Sequence, residues 1–249
     1  MKEIITLTRK DLQLLLLDKT SLIVTFALPV VLVALIGSVF ARSFPPSSGI
    51  TSYDYAFSKV MFWGVLGGLA SSVASLAIEK NSGTIIRIQL APVHKFQVLA
   101  GKALACISVI LISSFLTWTF ASLLFGIKTA SPLNMILICF SNAVLFAGLM
   151  TFLANFVSTE RAAGALSWSV AQLLACFSGI MFPIAIMPSW MGHAANFNPV
   201  TWAVKAMEIV LWTGGTFGEL VLPVSITLGS GLFFFALSVY LFRWTTQNA

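Results

Sequence analysis

The chain alternates long apolar runs with short polar breaks. A helix needs roughly 20 apolar residues to cross a bilayer. Runs of about that length cover Leu22 to Phe40, Phe57 to Ile78, Phe96 to Phe125, Leu133 to Val157, Ala163 to Phe182 and Leu220 to Phe242. Pro29, inside the first, is tolerated in a membrane helix. The pattern predicts an all-α polytopic membrane protein with six transmembrane helices. Ahead of them, Met1 to Thr20 places Ile4, Ile5, Leu12, Leu15 and Leu16 mostly along one helical stripe, although Leu14 and Leu17 fall off it. Lys2, Arg9, Lys10, Asp11, Asp18 and Lys19 supply the polar surround, which fits an N-terminal interfacial helix on the cytoplasmic surface. Arg42 to Ser58, with Pro45-Pro46-Ser47-Ser48-Gly49, reads as a short loop. Pro183 to Glu219 is too polar and broken to span, yet Trp202 to Trp212 within it is apolar. Irregular backbone at membrane depth survives only where protein or a water-filled cavity covers it. This predicts an outer re-entrant or interfacial hairpin between helices five and six. No repeat, heptad or linker divides the sequence, so residues 1–249 read as one transmembrane domain.

One polar interruption carries its own pattern. Within Glu79 to Lys102, the stretch Ser82-Gly83-Thr84-Ile85-Ile86-Arg87-Ile88-Gln89-Leu90 reads as a short amphipathic helix. Ser82 suits an N-cap, Pro92 disfavours helix at Ala91, and Ile85 with Ile88 and Ile86 with Leu90 give apolar spacings of three and four. So short a helix is marginal in water and needs a surface to lie against. The membrane or another protein would serve; another protein is the reading we adopt.

Composition agrees with the membrane reading. The chain is 58% hydrophobic and 9% charged, against about 25% charged in ordinary soluble domains. Its net charge of +6 follows from basic cytoplasmic segments under the positive-inside rule and points to no nucleic acid. With the N-terminus inside, Lys2, Arg9, Lys10, Lys19, Lys80, Arg87, Lys95, Lys102, Arg161 and Arg243 are cytoplasmic, and Arg42, Lys59, Lys128 and Lys205 are outside. Both termini and the Glu79 to Lys102 stretch are then cytoplasmic. Cys106, Cys139 and Cys176 lie inside apolar segments without metal-type spacing and read as free thiols.

Catalytic chemistry finds little support. Gly101-Lys102 lacks the earlier glycine of a phosphate-binding loop, since Phe96 stands there. ATP hydrolysis, if used, must belong to a partner. His94 and His193 fall on opposite sides of the membrane in this topology and cannot share a metal. No GxSxG elbow is present. Of the carboxylates, Glu79 and Glu160 sit at cytoplasmic span ends and Asp54, Glu208 and Glu219 outside, none within a span, which removes most support for the charge relay an ion-coupled transporter needs. Gly64 and Gly68, with Ser71, Ser72 and Ser75, suit close helix packing or substrate lining. Asn142, Asn155 and Gln172 suit interhelical hydrogen bonds or ligand contacts.

Glu79-Lys80-Asn81-Ser82-Gly83-Thr84, Ala91-Pro92-Val93 and Gly101-Lys102 together resemble the signature of type-2 ABC exporter permeases. Phe182-Pro183, Met187-Pro188-Ser189-Trp190 and Asn198-Pro199-Val200-Thr201 look like that family's second recurrent stretch, so Pro183, Pro188, Asn198 and Pro199 mark its outer hairpin. Two positions depart from the pattern. Asn81 stands where a further acid is common, and Glu208 where Arg is common, with Lys205 three residues earlier as if a charge pair were rearranged. The resemblance implies a permease in a bacterial inner membrane, forming a homodimer or close heterodimer and bound to two ABC ATPase subunits. Those partners would hold ATP and Mg, with no cofactor on this chain. It makes Glu79, Lys80, Ser82, Gly83, Thr84, Ile85, Ile86, Arg87 and Leu90 the coupling helix and its ATPase contact. It also places Ser71, Ser75, Trp168, Gln172 and Phe177 along a substrate path suited to an amphipathic drug, lipid or lipid-linked glycan. An ion-coupled secondary transporter and a membrane-embedded enzyme are the alternatives.

Overall fold

The computed structural model describes residues 2–17, 19–41, 50–81, 90, 93–129 and 131–242, and their side chains except at 2, 15, 20–22, 63–72, 80 and 81. The described residues are helical, with no strand among them. In chain order the helices are α1 (Lys2–Leu17), α2 (Lys19–Val39), α3 (Ser52–Asn81), α4 (Lys95–Phe125), α5 (Pro132–Leu153), α6 (Glu160–Cys176), α7 (Ser189–Phe197), α8 (Pro199–Glu208) and α9 (Phe217–Leu241). A 3-10 turn at Ile184–Ile186 precedes α7, and a π-helical turn at Ile209–Thr213 follows α8. Among the described residues, three helices, α4, α5 and α9, are long and apolar enough to cross a membrane, and Ile23–Val39 is a shorter apolar helix.

Helix starts follow capping chemistry. Ser131 accepts from the Asn134 backbone N–H with Pro132 at the first helical position, and Thr159 accepts from that of Ala162. Thr51 and Asp54 bond reciprocally: each side chain accepts from the other's backbone N–H. That box starts α3 at Ser52, inside the stretch expected to be loop as far as Ser58. The fifth long helix also shifts against the expected Ala163 to Phe182. It begins at Glu160 behind its Thr159 cap and stops at Cys176. It stops there because the hairpin takes its orphan carbonyls: Asn198 Nδ2 donates to Leu174 O at 2.9 Å and Thr201 Oγ1 to Phe177 O at 3.2 Å.

α3 lies between α2 and α6, α4 joins α3 to α5, and α9 packs along α5. Phe57, Phe62, Leu76, Leu99, Met135, Ile138, Leu145, Phe146 and Met150 fill the centre. α5 crosses α9 at close range. A methyl group on Gly148 would lie 2.0 Å from the Gly231 carbonyl oxygen, and one on Gly231 2.6 Å from that of Val144. Only hydrogen at both positions allows this approach. Farther along, Asn155 Nδ2 donates to Ser238 Oγ at 2.9 Å, and Ser238 Oγ donates to Thr151 O at 2.7 Å. Outward-facing Phe115, Leu123, Leu133, Phe233 and Tyr240 are exposed, an arrangement unfavourable in water and favourable against lipid.

α1 turns only part of the apolar stripe read in the sequence inward, with Ile4 and Leu12 half-buried. Ile5 and Leu16 are exposed, while Ile4, Leu7, Thr8 and Asp11 lie toward α4. The reason is polar: Thr8 and Asp11 find partners on α4, and an apolar stripe cannot register that.

Candidate functional site

The last turns of α3 lead into residues 82–89, and there the charges converge. α1 docks on α4 where Gly101 leaves room for Leu7; a β-carbon on Gly101 would lie 2.8 Å from that of Leu7. Thr8 Oγ1 donates to the Gly101 carbonyl at 3.0 Å. This docking sets Lys10 and Asp11 beside Lys102, the next residue of α4. Lys102 Nζ lies 3.0 Å from Glu79 Oε2, 3.3 Å from Asp11 Oδ2 and 2.9 Å from Ser75 Oγ. Lys10 pairs with the other Glu79 oxygen. Two cations thus balance two carboxylates contributed by α1, α3 and α4. The Lys102 and Glu79 side chains are 11% and 10% exposed, so water screens this pair weakly.

Glu79 stands in the last turn of α3, one residue past the expected span Phe57 to Ile78. Burial there raises its carboxyl pKa, but Lys102, and then Lys10, more than offset this and hold it below the ordinary 4.5. The carboxylate therefore stays charged at neutral pH. With each charge answered by another, the cluster suits a mechanical joint between three helices better than proton transfer.

The other predicted coupling residues have separate fates. Ser82, Gly83, Thr84, Ile85, Ile86 and Arg87 lie outside the described residues, as does the Lys80 side chain. Leu90 is described and 83% exposed. Of the predicted substrate path, the Ser71 side chain is outside the description and Ser75 belongs to the charge cluster. On α6, Trp168 is exposed, and the buried Gln172 Oε1 has no hydrogen-bond partner among the described residues. Phe177 meets Trp190 edge-on, with ring centroids 6.2 Å apart.

In the segment predicted as a hairpin, Pro183 and Pro188 are exposed and each immediately precedes a helical turn. Asn198 caps α8 by accepting from the Val200 N–H, with Pro199 at the first helical position. Glu208 does not pair with Lys205. Lys205 Nζ sits 4.5 Å over the Trp202 ring, and the Glu208 carboxylate pairs with Lys59 of α3. Sequence reasoning missed both this pair and the Lys10–Glu79–Lys102 grouping. Their partners lie 149, 69 and 23 positions apart, and nothing in one sequence links them. Among the described residues no group of three or more His, Cys, Asp or Glu is placed to hold a metal.

The ABC-2 type transporter family model matches residues 2–212, from the first turn of α1 through both charged groupings to the π-helical turn. The chain belongs to the ABC-2 type transporter family. It is thus a membrane permease component of the ABC class, whose members normally work with ABC ATPase subunits. A comparison with curated proteins gives no match. The α9 helix follows the matched region and packs along α5 within it. Both the Glu79 cluster and the Lys59–Glu208 pair thereby belong to an ABC-2 transporter's membrane domain.

Proposed function

We propose that this chain is the membrane-spanning subunit of an ATP-driven exporter, moving an amphipathic or lipid-like substrate out of the cytoplasm or inner leaflet. The family match over residues 2–212 carries this reading. Six crossings with both termini cytoplasmic, in a bacterial inner membrane, put the Glu79 cluster on the side where nucleotide is available. Residues 82–90 act as the coupling helix in a groove of a separate ATPase, and that partner holds ATP and Mg. The cluster then ties the coupling segment's root to α1 and α4, so a push on the segment moves three helices together. Two copies of the chain enclose the path. The exposed Trp168 and the unpartnered Gln172 Oε1 support an apolar route with few hydrogen-bonding groups along α6. Such a route suits drugs, lipids or lipid-linked glycans better than ions.

The test is co-purification with an ABC ATPase, followed by hydrolysis measurements in proteoliposomes. Hydrolysis by the complex is expected to differ from that of the ATPase alone, and Ile86→Pro to return it to the ATPase-alone rate while assembly persists. Failure of any such ATPase to co-purify, or hydrolysis indifferent to Ile86→Pro, would refute the reading.

A further inference from the structure

α3 carries a buried charge near each end. Lys59 and Glu79 are 79 − 59 = 20 residues apart, which at 1.5 Å per residue is about 30 Å of helix. At the far end from Glu79, the Lys59 side chain is 7% exposed and pairs with Glu208, the last residue of α8, itself 22% exposed. Two aromatic rings wall the ammonium. Its Nζ lies 5.5 Å from the Tyr55 ring centroid and 5.9 Å from that of Trp212, and those rings stack 6.3 Å apart at 18°. One ring belongs to α3 and the other to the π-helical turn that continues α8. Separating the two elements would leave a charge in an aromatic wall without its counterion, a costly state. Lys205 is no substitute partner for Glu208, being seated over Trp202. The hairpin is meanwhile bonded to the end of α6 through Asn198 and Thr201.

We infer that Lys59 and Glu208 are a positioning pair through which α3 carries the outer hairpin, so that motion delivered at the Glu79 end reaches the far end of the bundle. The inference rests on the exporter reading above. A rigid helix clamped ionically at both ends transmits displacement along its axis; one clamped only at its base would slide past the hairpin.

A native reporter sits where the hairpin bonds to the end of α6. Cys176 ends α6 and is partly exposed, whereas Cys106 and Cys139 are buried. The permease–ATPase complex is reconstituted in proteoliposomes, and labelling by a membrane-impermeant maleimide is followed with and without ATP plus vanadate. Wild type should change its labelling rate on nucleotide trapping. K59A and E208A should lose that change, and the swapped pair K59E/E208K should regain it, with ATP hydrolysis confirming assembly. Should a single variant fail to assemble, the swapped pair decides, since it keeps both charges paired. Single variants that respond like wild type, or an assembled and active swapped pair that stays unresponsive, would overturn the inference alone. An unresponsive wild type would overturn this inference, while the exporter reading stands or falls on ATPase co-purification and the Ile86→Pro result.

Discussion

At the scale of single residues, Glu79 bears the most strain if altered. It answers two lysines, and Lys102 is nearly as buried as Glu79 itself. Glu79→Gln keeps the shape but leaves Lys10 and Lys102 facing each other with Asp11 as their remaining carboxylate. Breaking a buried pair from one side costs roughly 3 kcal/mol, so a clearly lower Tm in detergent is expected. The pH dependence has a definite sign. The folded carboxyl is held below its ordinary 4.5, so its stabilisation is present above that value and is lost as pH falls through the lowered folded value. Tm measured against pH should fall in that acidic window for wild type, with the Glu79→Gln curve flatter there; parallel curves would contradict the assignment. Glu79 was legible in the sequence as part of a recurring motif. Its partner Lys10 was not, because the pairing depends on how α1 docks, with Leu7 seated on Gly101 and Thr8 bonded to the Gly101 carbonyl.

At the scale of elements, helix starts were more legible than helix contacts. Thr51 and Asp54 spell a capping box three residues apart, and reading it would have moved the start of α3 to Ser52. The early stop of α6 was not legible, since the groups that end it, Asn198 and Thr201, lie more than 20 residues downstream. Close packing was sought at Gly64 and Gly68, a pair on one helix. Gly64 and Gly68 lie among the residues whose surroundings are not described, whereas the tight crossing seen uses one glycine from each of two helices, Gly148 and Gly231, and single glycines leave no spacing signature. Gly231→Leu drives carbon into the α5 backbone and should destabilise by about 2 kcal/mol. Gly229→Leu, two residues away with open space before its β-carbon, serves as the control and should be nearly neutral. Equal Tm losses for the two variants in detergent would show that α5 and α9 do not meet as described.

At the scale of the whole molecule, the all-helical class was plain from the length and apolarity of the runs, because a bilayer forces backbone hydrogen bonds to close within each helix. The family was legible from the order of several weak motifs. The charged joints were hidden: Lys59 and Glu208 looked like independent charges outside the membrane, yet they form one buried pair between α3 and the hairpin. The same folding brings Lys10, Asp11, Glu79 and Lys102 together where α3 leads toward residues 82–89. The central claim is that this segment meets an ATPase. A photo-crosslinking side chain, Ile86→p-benzoylphenylalanine, tests it most directly in membranes containing the assembled transporter. The account predicts an adduct with the ATPase subunit whose yield depends on nucleotide. No ATPase adduct, or labelling of an Ile86→Cys variant by an impermeant maleimide from the outer face, would contradict it.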